Sequence, residues 1–284
     1  MKVNIRYQAI FQYEEEASFS PHVVRLFPRH EMSVQTDRAA FATDSRADVP
    51  YRKDLFDNLV ATCFYPEKLD RLEFQLSLDL TLTPRNPFHF LLESRALELP
   101  FRYLPQEAEV LDAYLQRGPD MLSLPEALLP SIQARPTVES LVAMNSWLHE
   151  NIAYERREEG DPFTPAETLK RGSGSCRDFT ILMAEVLRAH GIAARLASGF
   201  LWEDEVPESE RRAGNALHAW VEAYLPGGGW IGLDPTNGVL CDHHALATAV
   251  GLTPADIAPV QGHYYGKKTI ASSLETTLTI EEVQ

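Results

Sequence analysis

Apolar and polar residues alternate over two long stretches in the first third of the chain. Val3, Ile5, Tyr7, Ala9, Phe11 and Tyr13 take every second position, and so do Leu72, Phe74, Leu76, Leu78, Leu80 and Leu82. A period of two sends successive side chains to opposite faces of an extended backbone, so both stretches are expected to be strands with one face buried. Shorter apolar runs around Val23 to Phe27, Ala39 to Ala42 and Leu59 to Tyr65, broken by Pro28, Pro50 and Pro66, continue the pattern as antiparallel strands. No helical period precedes residue 105. Residues 1–104 are therefore expected to form a β-rich, sandwich-like domain, residues 105–136 a proline-punctuated connector with short helices, and residues 137–284 a second domain.

The period changes in that second domain. Val138, Leu141, Met144, Trp147, Leu148 and Ile152 recur at helical spacing, which predicts a helix over residues 137–151. Thr164-Pro165-Ala166-Glu167 combines a capping box with proline at the first helical position, and Ser123 with Glu126 repeats the box in the connector. Beyond Gly172-Ser173-Gly174-Ser175, the stripe Phe179, Leu182, Met183, Val186 and Leu187 marks a helix starting at Cys176. Residues 193–202 and 217–225 read as strands. On the second, His218, Trp220, Glu222 and Tyr224 share one face. Pro226-Gly227-Gly228 predicts a three-residue hairpin loop with Gly228 left-handed, Leu225 paired with Gly229, and Asp234 level with Trp220 and diagonal to His218.

Composition narrows the class. Hydrophobic residues make up 44% and charged residues 24%, as in a globular protein, and no apolar run approaches the ~20 residues that cross a bilayer. A net charge of -15 argues against nucleic acid or an anionic membrane as partner. The first residues alternate as a strand rather than as a secretory leader, so the expected location is the cytoplasm. Three cysteines, Cys63, Cys176 and Cys241, are too few and too odd for a disulfide framework.

Among them, Cys176 carries the candidate chemistry. A thiol in the first turn of a helix feels the positive end of the helix dipole, and a cationic neighbour lowers its pKa further from about 8.5. His218 is the candidate base, Asp234 the carboxylate that fixes its tautomer, and the Cys176 backbone N–H an oxyanion donor. Trp202, Asn215 and Tyr154 are candidates for a second donor, and Trp220 either lines the groove or packs beside the imidazole. The small residues before Cys176 are expected to leave the thiol uncrowded. Cys63 lies in an apolar strand and reads as structural. Cys241-Asp242-His243-His244 is a run of loop neighbours with no second pair at finger-like spacing, so no metal site is expected there. The acidic stretch from Glu203 to Glu210 reads as a solvated loop.

Four motifs carry a resemblance. Gly-Ser-Gly-Ser-Cys-Arg-Asp-Phe at 172–179, Arg-Ala-His-Gly-Ile-Ala-Ala-Arg at 188–195, His-Ala-Trp-Val-Glu-Ala-Tyr at 218–224 and Asp-Pro-Thr-Asn-Gly at 234–238 resemble the transglutaminase-like superfamily of papain-type cysteine enzymes. The likeness extends over residues 137–266. Residues 13–29, together with Asp57-Asn58-Leu59-Val60, are similar to the β-rich N-terminal domain of bacterial members, with Asp57 where glycine is expected. The resemblance implies an α+β fold whose nucleophile helix packs on an antiparallel sheet. It also implies Cys176, His218 and Asp234 as triad, no cofactor or metal, and a peptide or protein substrate attacked through a thioester. A cysteine protease or amidohydrolase is the first expectation; protein-glutamine transamidation, or a non-enzymatic interaction module on the same fold, is the alternative.

Overall fold

In a computed structural model, residues 1–118, 124–129, 134–157, 160–202, 217–266 and 270–283 are described. The first part is all strand: β1 (Lys2–Phe19), β2 (His22–Val24), β3 (Val34–Ala42), β4 (Tyr51–Lys53), β5 (Leu59–Cys63) and β6 (Leu69–Leu82). Helices follow as α1 (Pro105–Leu115), α2 (Thr137–Asn151), α3 (Pro165–Arg171) and α4 (Cys176–Ala189). Next come β7 (Ala194–Leu201), β8 (Leu217–Leu225), β9 (Gly229–Asp234), β10 (Val239–Leu240) and β11 (Ala245–Gly251). The described chain closes with β12 (Val260–Gln261), β13 (Tyr264–Tyr265) and β14 (Ser272–Val283). This is an α+β architecture with a β-dominated N-terminal region.

Three sheets organise it. The first runs β14-β1-β6-β3, with β13 pairing the far end of β1; the second runs β12-β2-β5-β4; the third runs β10-β9-β8-β7-β11. The alternation along β1 and β6 appears directly as burial, with Val3, Ile5, Ala9, Leu72, Phe74, Leu78 and Leu80 at 1% exposure or less. Residues 260–283, which the expected division groups with the second domain, return to the first two sheets: β12 pairs β2, and β14 pairs β1 over twelve residues from Lys2↔Val283 to Tyr13↔Ser272.

The apolar stripe of α4 faces the third sheet. Phe179, Leu182, Met183, Val186 and Leu187 share a core with Leu196, Val221, Ala223 and Leu233 and with Leu141, Met144 and Leu148 of α2. A second core joins the first sheet to the third, since Phe200, Trp202 and Leu246 are buried among Ile5, Tyr7, Leu78 and Leu80. Polar contacts pin the same junction. Asn58, fully buried, donates to the Val250 carbonyl at 2.8 Å and accepts from the Val250 N–H at 2.9 Å, while the Arg29 N–H donates to the Ala247 carbonyl at 2.8 Å. Asp57, where the resemblance places glycine, takes the left-handed conformation at φ 62°. In the connector, Ser123 lies outside the described residues, and the 3-10 turn Glu126–Leu128 is entered from Pro125.

Candidate active site

Cys176 opens α4, and the preceding turn fixes its position. α3 carries the expected capping box at Thr164 and Glu167 and ends at Gly172, whose φ of 67° is the left-handed cap. Ser173–Gly174 then pairs in parallel with Ala153–Tyr154 at the end of α2. Inside this loop the carboxylate of Asp178, three residues into α4, collects five hydrogen bonds. The Ser175 N–H and hydroxyl donate at 2.7 and 2.8 Å, the Phe163 N–H at 2.6 Å, and the Arg157 guanidinium at 2.7 and 2.8 Å. Burial opposes that charge, yet the donors outweigh it and hold the carboxyl below its ordinary value. A Cβ at Gly174 would stand 2.8 Å from the Asp178 Cβ, so the small residues before the cysteine serve this packing and not only access to the thiol.

His218 and Asp234 arrive on adjacent strands. The hairpin pairs Leu225 with Gly229 through to Val221 with Leu233, which carries Asp234 to the level of Trp220. Its positive φ values fall at Gly227 (87°) and Gly229 (74°) rather than at Gly228. The His218 Nε2–H donates to Asp234 Oδ2 at 2.8 Å, with both side chains almost fully buried. Asp234 is held in turn by Asn237 Nδ2 on Oδ2 at 2.8 Å and by the Thr236 N–H on Oδ1 at 2.9 Å. From α2, Asn145 Nδ2 donates to the Asp234 carbonyl at 3.3 Å.

The remaining imidazole nitrogen, Nδ1, is buried without a nitrogen or oxygen partner and is the one left for the Cys176 thiol. Sulfur and imidazole act on each other: the imidazole lowers the thiol pKa and the thiol raises that of the imidazole. Burial pushes the Cys176 thiol up, but His218 and the Ala219 backbone N–H outweigh it, and the thiol lies below its ordinary value. For His218, burial lowers the pKa while Asp234 and the thiol raise it, and the result is well above the ordinary histidine value. Asp234 is lowered: burial opposes its charge, and His218 and Asn237 prevail. The other two thiols go the opposite way. Burial takes Cys63 up to about 11, and burial with the nearby Asp234 charge raises Cys241. Cys176 is thus the one cysteine whose surroundings favour the thiolate.

Cys176 and His218 open onto a cleft of about 540 Å³. Tyr154 lines it. Trp220 does not: it is 2% exposed, its ring stands 6.4 Å from that of His218 at 23°, and it borders a separate cavity with Arg195, Glu222 and Cys241. Trp202 is buried in the core shared with the first sheet, against the His244 ring. Asn215, like the acidic loop before it, lies outside the described residues. Asp242, His243 and His244 bring their ligand atoms within 4.8 Å of one another, and His244 bonds Asp242 through both its backbone N–H and Nδ1 at 2.9 Å. Sequence reasoning missed Asp178, Arg157, Asn237 and the Ala219 N–H. Only the first had a signal, the Ser175-x-x-Asp178 capping box.

Residues 126–235 match the model of the transglutaminase-like superfamily, and residues 3–81 match that of the bacterial transglutaminase-like N-terminal region. The two matched segments are those of a transglutaminase-like core and of the β-rich region that precedes it in bacterial proteins. An uncharacterized Mycobacterium tuberculosis protein is 35% identical over 136 residues, 46% of this chain and 43% of that one. A protein-glutamine gamma-glutamyltransferase of Pseudomonas aeruginosa is 36% identical over 118 residues, 37% of this chain and 16% of its own length. The chain spans less than half the length of these curated relatives. In fold it is similar to a Cytophaga hutchinsonii protein provisionally assigned as a cysteine protease, with a TM-score of 0.72 at 16% identity over 100% of this chain and 92% of that one.

The expected cytoplasmic location is withdrawn. Solved structures similar to this chain include the periplasmic domain of TgpA from Pseudomonas aeruginosa, 20% identical over 81% of this chain and 90% of that one at a TM-score of 0.30. The alternation of the first residues records β1, not a compartment. Among the described residues, no helix is long and apolar enough to cross a membrane.

Proposed function

We propose that this transglutaminase-like chain is a thiol-dependent acyl-transfer enzyme in which Cys176 is the nucleophile, His218 the general base and acid, and Asp234 the carboxylate that orients His218. The observation that carries the reading is the buried His218–Asp234 contact of 2.8 Å beside a helix-start cysteine whose thiol is shifted down. With Nε2–H given to Asp234, Nδ1 takes the Cys176 proton, and the thiolate attacks the carbonyl of a peptide or carboxamide. The backbone N–H of Cys176, at the first position of α4, is the donor to the developing oxyanion. The intermediate collapses as the imidazolium returns its proton to the leaving amine, giving a thioester on Cys176. Water, deprotonated by His218, then releases the acid and restores the thiol.

Hydrolysis, as by a cysteine protease or amidohydrolase, is the primary reading. Transamidation is the second, favoured by the similarity to the Pseudomonas aeruginosa glutamyltransferase, because one thioester serves both and only the acceptor differs. Incubating the protein with a library of carboxamide peptides, with and without a primary amine, and analysing by mass spectrometry separates them. Peptide cleavage or conversion of carboxamide to acid identifies hydrolysis, and a new amide to the added amine identifies transfer. No change in any peptide, at a rate equal to that of Cys176→Ala, overturns the enzymatic reading in favour of an interaction module.

A further inference from the structure

We propose that the first sheet forms part of the substrate site: Leu274, Thr276 and Leu278 of β14, with Tyr7 and Phe11 of β1, are the subsite for an apolar or aromatic side chain of the acyl donor. The proposal rests on the acyl-transfer reading and names the substrate class for it. In the register of the two strands Leu278 pairs with Tyr7, Thr276 with Ala9 and Leu274 with Phe11, so these side chains share one face of the sheet. All but Ala9 line the cleft that holds Cys176 and His218. Toward β6 this face is the buried core, but β14 is the edge strand and the core gives out along it: Leu278 is 7% exposed and Leu274 42%. The intervening positions, Glu275, Thr277, Thr279 and Glu281, are polar and point the other way.

Charge divides the cleft in the same sense. Among the described residues, the charged side chains that line it besides His218 are Arg156, Arg157, Asp161 and Arg177, all on the α4 side of the cleft. The β14 side and the segment 254–260 beside it contribute none. A cleft of about 540 Å³ has room for a large side chain together with the peptide backbone that carries it. An acyl group held at Cys176 therefore meets an apolar wall on one flank, built by residues that precede and follow the nucleophile in sequence by more than ninety positions. An aspartate or lysine side chain entering there would lose water without gaining a partner.

The test uses peptidyl chloromethyl ketones that differ in one residue, Phe, Leu, Ala, Asp or Lys, at the first or second position from the reactive group. The rate of Cys176 alkylation is divided by the iodoacetamide rate of the same protein. The expected result is a preference for Phe or Leu over Ala of about tenfold or more, with Asp and Lys below Ala. Leu274→Asp should abolish that preference, and Thr276→Trp, which fills the subsite from another exposed position, should reverse it toward Ala. Rapid, His218-dependent iodoacetamide labelling with a flat peptide series, or a preference untouched in whichever of the two variants folds, overturns the proposal alone. Slow iodoacetamide labelling that His218→Ala leaves unchanged overturns the acyl-transfer reading and this proposal with it.

Discussion

His218 and Asp234 are both nearly inaccessible to water and face each other across a 2.8 Å contact, with Asn237 and the Thr236 N–H also on the carboxylate. The pKa directions give a pH profile with a definite sign. Cys176 is lowered and His218 raised, so each shift favours the thiolate–imidazolium pair. Iodoacetamide labelling of Cys176 should then set in below the ordinary thiol range of about 8.5. In His218→Ala the burial that raises the thiol is opposed only by the Ala219 N–H, and the onset should move up; an onset common to both proteins would refute the coupling. Asp178 presents a different case at the same scale, because its five hydrogen bonds are structural. Replacing it by asparagine leaves Arg157 without its carboxylate and should cost about 3 kcal/mol, read as a lower midpoint in urea unfolding. Because the folded Asp178 pKa is lowered, its contribution is complete above the unfolded value of about 3.9 and vanishes as pH falls through the folded one. The difference between wild type and Asp178→Asn should accordingly shrink in acid.

The elements that position these residues were legible where a period or a cap marks them. α2 runs Thr137–Asn151, β8 Leu217–Leu225 and β9 Gly229–Asp234, each as its apolar spacing predicts, and the three-residue loop gives the register that sets Asp234 diagonal to His218. Contacts made by single polar groups at long sequence distance leave no such trace. Nothing in the spacing of Asn145 or Arg157 announces that one reaches Asp234 and the other Asp178. Asp57 lies between these cases: glycine was expected there, and its φ of 62° gives the physical reason. An L-residue in the left-handed region carries a cost of about 1 to 2 kcal/mol, smaller for Asp. Its ion pair with Lys53 is exposed on both sides and adds little. Asp57→Gly should therefore stabilise the protein by up to about 1 kcal/mol, seen as a higher thermal midpoint, and a fall in that midpoint would show that Asp57 holds the turn in another way.

Across the whole molecule, the alternation of Leu274, Thr276, Leu278 and Ile280 marks a strand, but period alone cannot tell which sheet a strand joins, and β14 crosses back to the N-terminal sheet. The sheet that carries His218 and Asp234 and the N-terminal region are tied by Asn58 on Val250 and by a shared core. Leu246, on β11 of the third sheet, is 1% exposed and packs in the core that contains Ile5 and Leu80. Shortening it to alanine opens a cavity facing both regions and should cost about 3 kcal/mol. If the two regions were independent, that loss would displace one of two calorimetric transitions. With the core shared, removing support from either side exposes the apolar face of the other, so neither has a stable state without its neighbour. Scanning calorimetry should show one transition for the wild-type chain, and Leu246→Ala should move that whole transition down by several degrees without splitting it. Two resolved transitions, only one of them displaced, would mean that the N-terminal sheet stands alone and that its wall of the cleft is free to separate from Cys176.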